Sequence, residues 1–510
     1  MLDLLDALAS NDKAGSVVQL SLNPLFRRKY SSISDVIRNF PEFVEEQNTD
    51  ETSSEQTRPQ LEQKKLSHLI AKLCAQPSEA RPFSLFATDC TSNPRPHAKK
   101  LADRSSVYAP NQVPGNKPIA IGHQYANLVY LPEKRPAMSP WVLPLLTQRV
   151  DTGSLGHEVD ISLMGKLLND KELGFNAHHC VLVADTPHSS LNCRRQVMSH
   201  DNLTAVVRIR GNRNVYALPE ADGSKKRFGK KMNLGKKDTH RPPDAVEQSE
   251  IITSHGKKRI EKVETWHDML VRGGNGFHSD KHPFTLIKVT ILNSDGKAVY
   301  NKPMWLMVQG KRRAELSSKQ ILESYRQRFD IEHYFRFGKQ RLLLDKFQTA
   351  DTDHEENWWQ LALLAYIQLY LAKEASQHLP YDWEKHLTQH QDTSTAPSPS
   401  HVMRDFPRLV AQIGTPAEVP KVRGIPPGRQ KCETQPPRPD HAVVYKGKPK
   451  NTQEKPEKED KKKSTGFEDQ KDFPKPDTLG EILTSVKALL PKLEMSLEEF
   501  LNKARLELSS

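Results

Sequence analysis

The chain has 510 residues, 36% hydrophobic and 27% charged, an ordinary balance for two to four folded domains of roughly 100–200 residues each. Lys and Arg (75) outnumber Asp and Glu (63), leaving a formal charge of +12, which points toward a polyanionic partner without naming one. The apolar run 359–372 is interrupted by Gln360 and Gln368 and falls short of the roughly 20 residues a bilayer needs. The opening MLDLLDALASNDK has acids where a secretory signal carries a basic segment, so a cytosolic chain with no membrane partner is expected. Cys74, Cys90, Cys180, Cys193 and Cys432 form no C-x-x-C pair, which argues against a disulfide framework and a zinc knuckle.

Residues 1–80 read as a small helical N-terminal module: LDLLDALA, VIRNFPEFVEE and LSHLIAKLCAQ are short helix-like runs between polar stretches. Its basic segment, with Arg27, Arg28, Lys29 and Tyr30, is either a DNA contact or solvated surface. From Phe83 the texture turns β-like, through FSLFAT, KPIAIGHQYANLVYL, WVLPLLTQRV, CVLVAD and LTAVVRIRGNRNVYAL. The helical stretch HEVDISLMGKLLND falls before CVLVAD, so a mixed α/β sheet is expected. Residues 219 to about 310 begin Lys- and Gly-rich and then offer two further strands, FTLIKVTIL and KPMWLMVQG, as a β-rich insertion. Ser317 or Ser318 caps the next periodic run, and ENWWQLALLAYIQLYLAKEA supplies a second long helix. The compact region, 81–385, then gives way to a Pro-, Lys- and Glu-rich linker over 386–475, expected to be disordered. Residues 476–510 recover an amphipathic pattern of two short helices broken by Pro491.

Three acids stand out by position. Asp89 follows the strand FSLFAT, Asp185 follows CVLVA, and Glu332 lies on the helix after the insertion. Each alone reads equally well as ordinary turn or helix-end chemistry. Together, carboxylates at the ends of neighbouring strands and a third from a packed helix repel one another unless cations neutralise them, and hard oxygen donors suit Mg²⁺ or Mn²⁺. Two such ions form a phosphodiester-cleaving site. Tyr325, Arg328, Glu332 and Lys339 recur at near-whole helical turns, which predicts one shared face. A surface pair of Arg328 with Glu332, worth only about 0.3–0.5 kcal/mol, would account for neither Tyr325 nor Lys339.

The pattern Y-x2-R-x3-E-x6-K formed by these four residues resembles the signature of DDE transposases of bacterial insertion sequences. FATDCTSNPRP around Asp89 and LVADTPHSS around Asp185 are similar to the blocks carrying that family's first and second acids, and GHQYANLVYLP, RIRGNRNVY and RFGKQRLLLDKFQT add to the likeness over about residues 20–385. The resemblance implies a ribonuclease-H-like core in which Asp89, Asp185 and Glu332 hold two Mg²⁺ or Mn²⁺ ions. It also implies metal-dependent cleavage at terminal inverted repeats, strand transfer into target DNA, a homodimer on the two transposon ends, and association with the bacterial nucleoid when DNA-bound. Tyr325, Arg328 and Lys339 inherit phosphate contacts near the cut end. A non-catalytic DNA-binding descendant and a general nuclease on the same fold are the competing readings. One departure is local: Thr186, Pro187 and His188 follow Asp185, where many relatives carry a small residue and an aromatic.

Other features divide between two readings. Arg208, Arg210 and Arg213 alternate along a strand and its turn, as a phosphate-tracking edge or a solvated sheet face would. Trp266 and Trp305 are either base-stacking platforms or core residues, and Trp358 and Trp359 on an apolar helix are core. Cys90 reads as a small buried residue. His178, His179, Cys180 and Cys193 match no standard zinc spacing.

Overall fold

The computed structural model describes residues 1–40, 58–109, 118–134, 139–219, 227–252, 256–274, 277–377, 397–420 and 437–445, with 379, 381–383 and 386 between them. The chain divides into two units, Met1–Lys448 and Pro449–Ser510. The second, with the two expected C-terminal helices, lies outside the described residues.

The first unit is built on one mixed sheet of ten strands. It runs β2 (Ser105–Tyr108), β3 (Ile119–Tyr130), β1 (Ser84–Pro94), β5 (Cys180–Ala184), β6 (Leu203–Arg208), β12 (Met304–Gln309), β11 (Phe284–Leu292), β10 (Lys258–Met269), β9 (Ala245–Ile252). The tenth strand, β4 (Leu143–Arg149), shares the outer edge of β3 with β2. Strands β1, β5 and β6 are parallel neighbours, and every other pairing is antiparallel. The central strand β5, CVLVA, is buried along its whole length, as a parallel strand covered on both faces must be. The β-rich insertion thus extends the sheet through β9 to β12 rather than forming a separate body. A short hairpin, β7 (Asn214–Tyr216) with β8 (Lys231–Asn233), stands beside it. The mixed α/β sheet flanked by helices that the sequence predicts is the observed one.

Alternating residues of β5 enter two cores. Cys180, Leu182 and Ala184 face α4 (Gly156–Asn169) and α5 (Leu191–Met198), meeting Leu163, Met164, Leu167 and Val197. Val181 and Val183 face a larger helical layer of α1 (Leu2–Ala9), α2 (Ser31–Arg38), α6 (Ser318–Gln327), α7 (Phe329–Gln340), α8 (Thr352–Gln377) and α9 (Pro399–Ile413). Leu4, Leu5 and Leu8 of α1 share that core with Trp358, Leu361 and Ala365 of α8, so the N-terminal helices are part of the unit. Helix α3 (Arg58–Ala71) packs near β4.

Two expectations need correction. Within 386–475, expected to be disordered, α9 is an ordered helix with Val402, Met403, Phe406 and Leu409 buried, because its apolar residues recur on one face. The single periodic run predicted from Ser317 or Ser318 is two helices, capped by Ser317 and hinged at Arg328, where i to i−3 hydrogen bonds replace the α-helical ones. Of the two readings for Trp266 and Trp305 the core one holds: they are 1% and 2% exposed and pack on each other at 5.7 Å. Trp358 and Trp359 are core, the latter stacked on Tyr125 at 4.0 Å. Among the described residues no helix is long and apolar enough to cross a membrane.

Candidate active site

The register of the central sheet decides where the acids fall. Strand β1 pairs with β5 through Ala87 opposite Val183, so Asp89 and Asp185, each two residues further on, stand at matching positions where the two parallel strands end their pairing. Neighbouring strands lie about 4.8 Å apart, which places both carboxylates in one cleft. Asp89 stays in the β1–β3 ladder opposite Asn127, while Asp185 begins a 3₁₀ turn, Thr186–Ser189.

Helix α7 supplies the third acid. The Arg328 guanidinium reaches Glu332 at 2.8 Å and Asp89 at 3.8 Å, bridging the two carboxylates. It lies over the rings of Tyr325 at 5.8 Å and Phe329 at 4.9 Å. Arg328 is 6% exposed, and its Nε is buried without a hydrogen-bond partner, an unsatisfied donor beside three acids. Tyr325 is buried too, and burial pushes its phenol upward against the pull of Arg328, with Asp185 and Arg208 close enough to contribute. Lys339 donates to the Ser92 carbonyl oxygen of β1 at 2.7 Å, and burial lowers its ammonium from the ordinary range. The shared face predicted for the four residues is therefore kept across the hinge, with Arg328 and Lys339 both directed at β1.

The remaining arginines separate. Arg208 and Arg210 are exposed. Arg213 instead donates to the carbonyl and hydroxyl oxygens of Ser189, at 3.2 and 2.7 Å, and so braces the turn that follows Asp185. Arg27 and Arg28 both hold Asp3, at 2.8 and 2.7 Å, and donate to carbonyls of Ala417 and Glu418. They serve the helical layer. Cys180 and Cys193 hydrogen-bond to the carbonyls of Phe175 and His157.

A fourth acid, Asp160 on α4, carried no signature in the sequence. It is buried beside the cleft, where its Oδ2 accepts from Cys90 Sγ at 3.2 Å and contacts His188 Nε2 at 3.0 Å. Cys90, read from the sequence as a small buried residue, is only partly buried, and its thiol is the donor. The signal for Asp160 was an acid inside the apolar run VDISLMG, on the helix face it shares with buried Leu163, Met164 and Leu167. Burial and the neighbouring Asp160 push the Asp89 carboxyl up to about 6, against the pull of Arg328 and His188. Most of that push is the cost of burying a carboxylate, with the neighbouring Asp160 adding to it. The donor set of Asp89, Asp185 and Glu332 fits a hard divalent cation in its chemistry. The trio of ligating atoms gathered within 4.8 Å among the described residues is a different one, His68, Asp170 and Glu172, and there both imidazole nitrogens already face carboxylates.

Residues 150–368 match the family model described as a transposase DDE domain, and no curated protein matches the chain. The matched stretch contains Asp160, Asp185 and the Tyr325–Lys339 region and begins after β1, so Asp89 precedes it.

Proposed function

From residues 150–368 as a transposase DDE domain, we propose that the chain cleaves DNA at the terminal inverted repeats of a mobile element and transfers the freed strands into target DNA. The observation that carries this reading is the placement of Asp89 and Asp185 at matching positions, each two residues past the last pair of parallel β1 and β5, with Arg328 linking Asp89 to Glu332. Asp89, Asp185 and Glu332 would hold two Mg²⁺ or Mn²⁺ ions. When bound, such ions activate the attacking water or 3′-hydroxyl and stabilise the leaving oxygen.

The chain's own residues do the rest. Arg328 presents a buried Nε without a partner, suited to a phosphate oxygen at the cut end. Tyr325 limits where that guanidinium can turn. Lys339 holds the far half of β1 through Ser92, so it contacts phosphate only by exchanging that bond. Arg208 and Arg210, exposed at the end of β6, would contact the backbone of the bound end. Two copies of the chain on the two ends would form the synaptic complex. In a non-catalytic DNA-binding descendant Arg328 would hold Asp89 and Glu332 permanently, so that reading shares the same geometry and differs in metal response.

The test is cleavage of a supercoiled plasmid bearing the gene's flanking DNA, with Mg²⁺ or with EDTA, and mapping of the ends. Metal-dependent cuts at a pair of inverted repeats support the transposase. Scattered cuts reassign it as a nuclease, and binding without cutting reassigns it as the descendant.

A further inference from the structure

Below the cleft, one buried carboxylate touches both acid-bearing segments. Asp160 is 1% exposed in its side chain. Its Oδ2 accepts from the thiol of Cys90, the residue after Asp89, and pairs with His188 Nε2. The other ring nitrogen, Nδ1, faces the Asp185 carbonyl oxygen at 3.2 Å. A carbonyl only accepts, so Nδ1 carries a hydrogen, and a second hydrogen lies between Nε2 and Asp160. His188 is therefore fixed at both ends, in the orienting arrangement that outer partners impose on ligands around metal sites.

The surroundings are shaped to keep this arrangement. A Cβ on Gly156, the first residue of α4, would meet Cys90 Sγ at 2.7 Å, so the glycine is what lets the helix approach the thiol. Arg213 grips the same turn from its other side through Ser189. Asp160 Oδ1 is buried and has no hydrogen-bond partner among the described residues. A carboxylate buried and half-satisfied next to another acid is costly for folding, and an apolar residue would serve packing better at this position.

We propose that Asp160 and His188 are positioning residues for the site, holding Asp89 and Asp185 at the separation and orientation a divalent cation requires. The inference rests on the metal-dependent reading given above. Asp160 fixes β1 through Cys90 and the turn after β5 through His188, so one side chain sets the relation between two ligands that belong to different strands.

Calorimetric titration of the full chain with Mn²⁺ alone, alongside its thermal melt, tests this. Asp160→Asn keeps size and removes the carboxylate; the expected result is Mn²⁺ binding weakened by about 10–100-fold, the range for outer-sphere substitutions. The melt should stay near that of the unsubstituted chain. Asp89→Asn, run in parallel, should lose Mn²⁺ binding. Unchanged affinity in Asp160→Asn with loss in Asp89→Asn overturns the positioning role and leaves the metal site standing. Unchanged affinity in both overturns the metal reading itself. If Asp160→Asn melts early, His188→Gln decides, because its amide can still reach Asp160 but abandons the Asp185 carbonyl. Weakened Mn²⁺ binding there supports the proposal, and wild-type binding overturns it.

Discussion

Asp89 and Arg328 carry most of the site's electrostatic tension between them. The guanidinium stands 3.8 Å from Asp89 and 2.8 Å from Glu332, while burial and Asp160 push the Asp89 carboxyl up to about 6. Asp89→Asn removes a hard anionic donor without adding bulk, so cleavage should be abolished and binding of the element's ends retained. Parallel gel-shift and cleavage assays check it, and equal loss of both would remove Asp89 from the ligand set. Arg328→Ala should weaken the complex and reduce the salt slope of binding by about 0.9, one phosphate's share; an unchanged slope would exclude that contact. A residue outside the site sets a pH response. Burial, aided by Arg312, lowers the His179 imidazole to about 4, and its Nε2 meets Thr204 Oγ1 at 2.8 Å. The unfolded chain binds this proton near 6.5 and the folded one only near 4, so the contribution is complete above pH 6.5 and lost as pH falls toward 4. It is on the order of 3 kcal/mol at most. His179→Gln should flatten the fall in Tm between pH 6.5 and 4.5, and an equally steep fall would assign it to other groups.

Elements show where sequence reasoning reaches and where it stops. The strands β1, β3, β4, β5 and β6 were legible from their continuous apolar runs, but β1 runs on past Asp89 to Pro94, so that acid lies within its strand rather than after it, while Asp185 does follow β5. Asp160 was not legible, since its meaning depends on α4 meeting β1 across Gly156, a contact far apart in sequence. The hinge at Arg328 was hidden for a related reason: helical spacing continues through it, and the i to i−3 bonds there are a tertiary choice. The helix–sheet seam yields a further prediction. Glu355 of α8 is fully buried and accepts from His123 Nδ1 at 2.7 Å, Tyr125 hydroxyl at 2.9 Å and Arg95 Nε at 3.2 Å. Burial pushes its carboxyl up, but His123, Arg95 and Tyr125 more than offset that and hold it below its usual range. Glu355→Gln strands the buried Arg95 guanidinium without a counter-charge, a loss of about 3–5 kcal/mol. A drop in Tm of roughly 3–5 °C is expected for a unit of this size. A drop of a degree or two would show that Arg95 is satisfied by the carbonyls of Pro94 and Asp345, which it also reaches.

At the scale of the whole molecule, the boundary drawn from composition near residue 385 cuts through the folded unit. Helix α9 buries Val402, Met403, Phe406 and Leu409, and its Asp405 accepts from Ser376 of α8 at 3.0 Å. The approach to that helix is tied as well, since Trp141 donates to the Pro397 carbonyl at 2.8 Å. Beyond it, Thr415 donates to Asp6 of α1 at 2.6 Å, and Arg27 and Arg28 reach the carbonyls of Ala417 and Glu418. Residues 437–445 then lie along the edge strand β2, where Val444 N–H donates to the Arg104 carbonyl and His441 N–H to that of Lys99, with Lys100 paired to Asp440 at 2.7 Å. The segment occupies backbone positions that would otherwise leave an open sheet edge. Its place within a Pro-, Lys- and Glu-rich stretch concealed this, because a strap held by main-chain hydrogen bonds needs no apolar periodicity. A chain ending at Lys448, the limit of the first unit, should therefore melt as the full chain does. One ending at residue 385 exposes the apolar face of α8 and leaves Asp6 and Asp405 without these partners. Burying four large apolar side chains is worth roughly 1.5–3 kcal/mol each, comparable with the whole net stability of a domain. The shorter chain should aggregate or melt at least 10 °C lower, and thermal denaturation of the two truncations side by side decides it. Equal melts would make α9 and the 437–445 strap dispensable to the fold and return the boundary to residue 385.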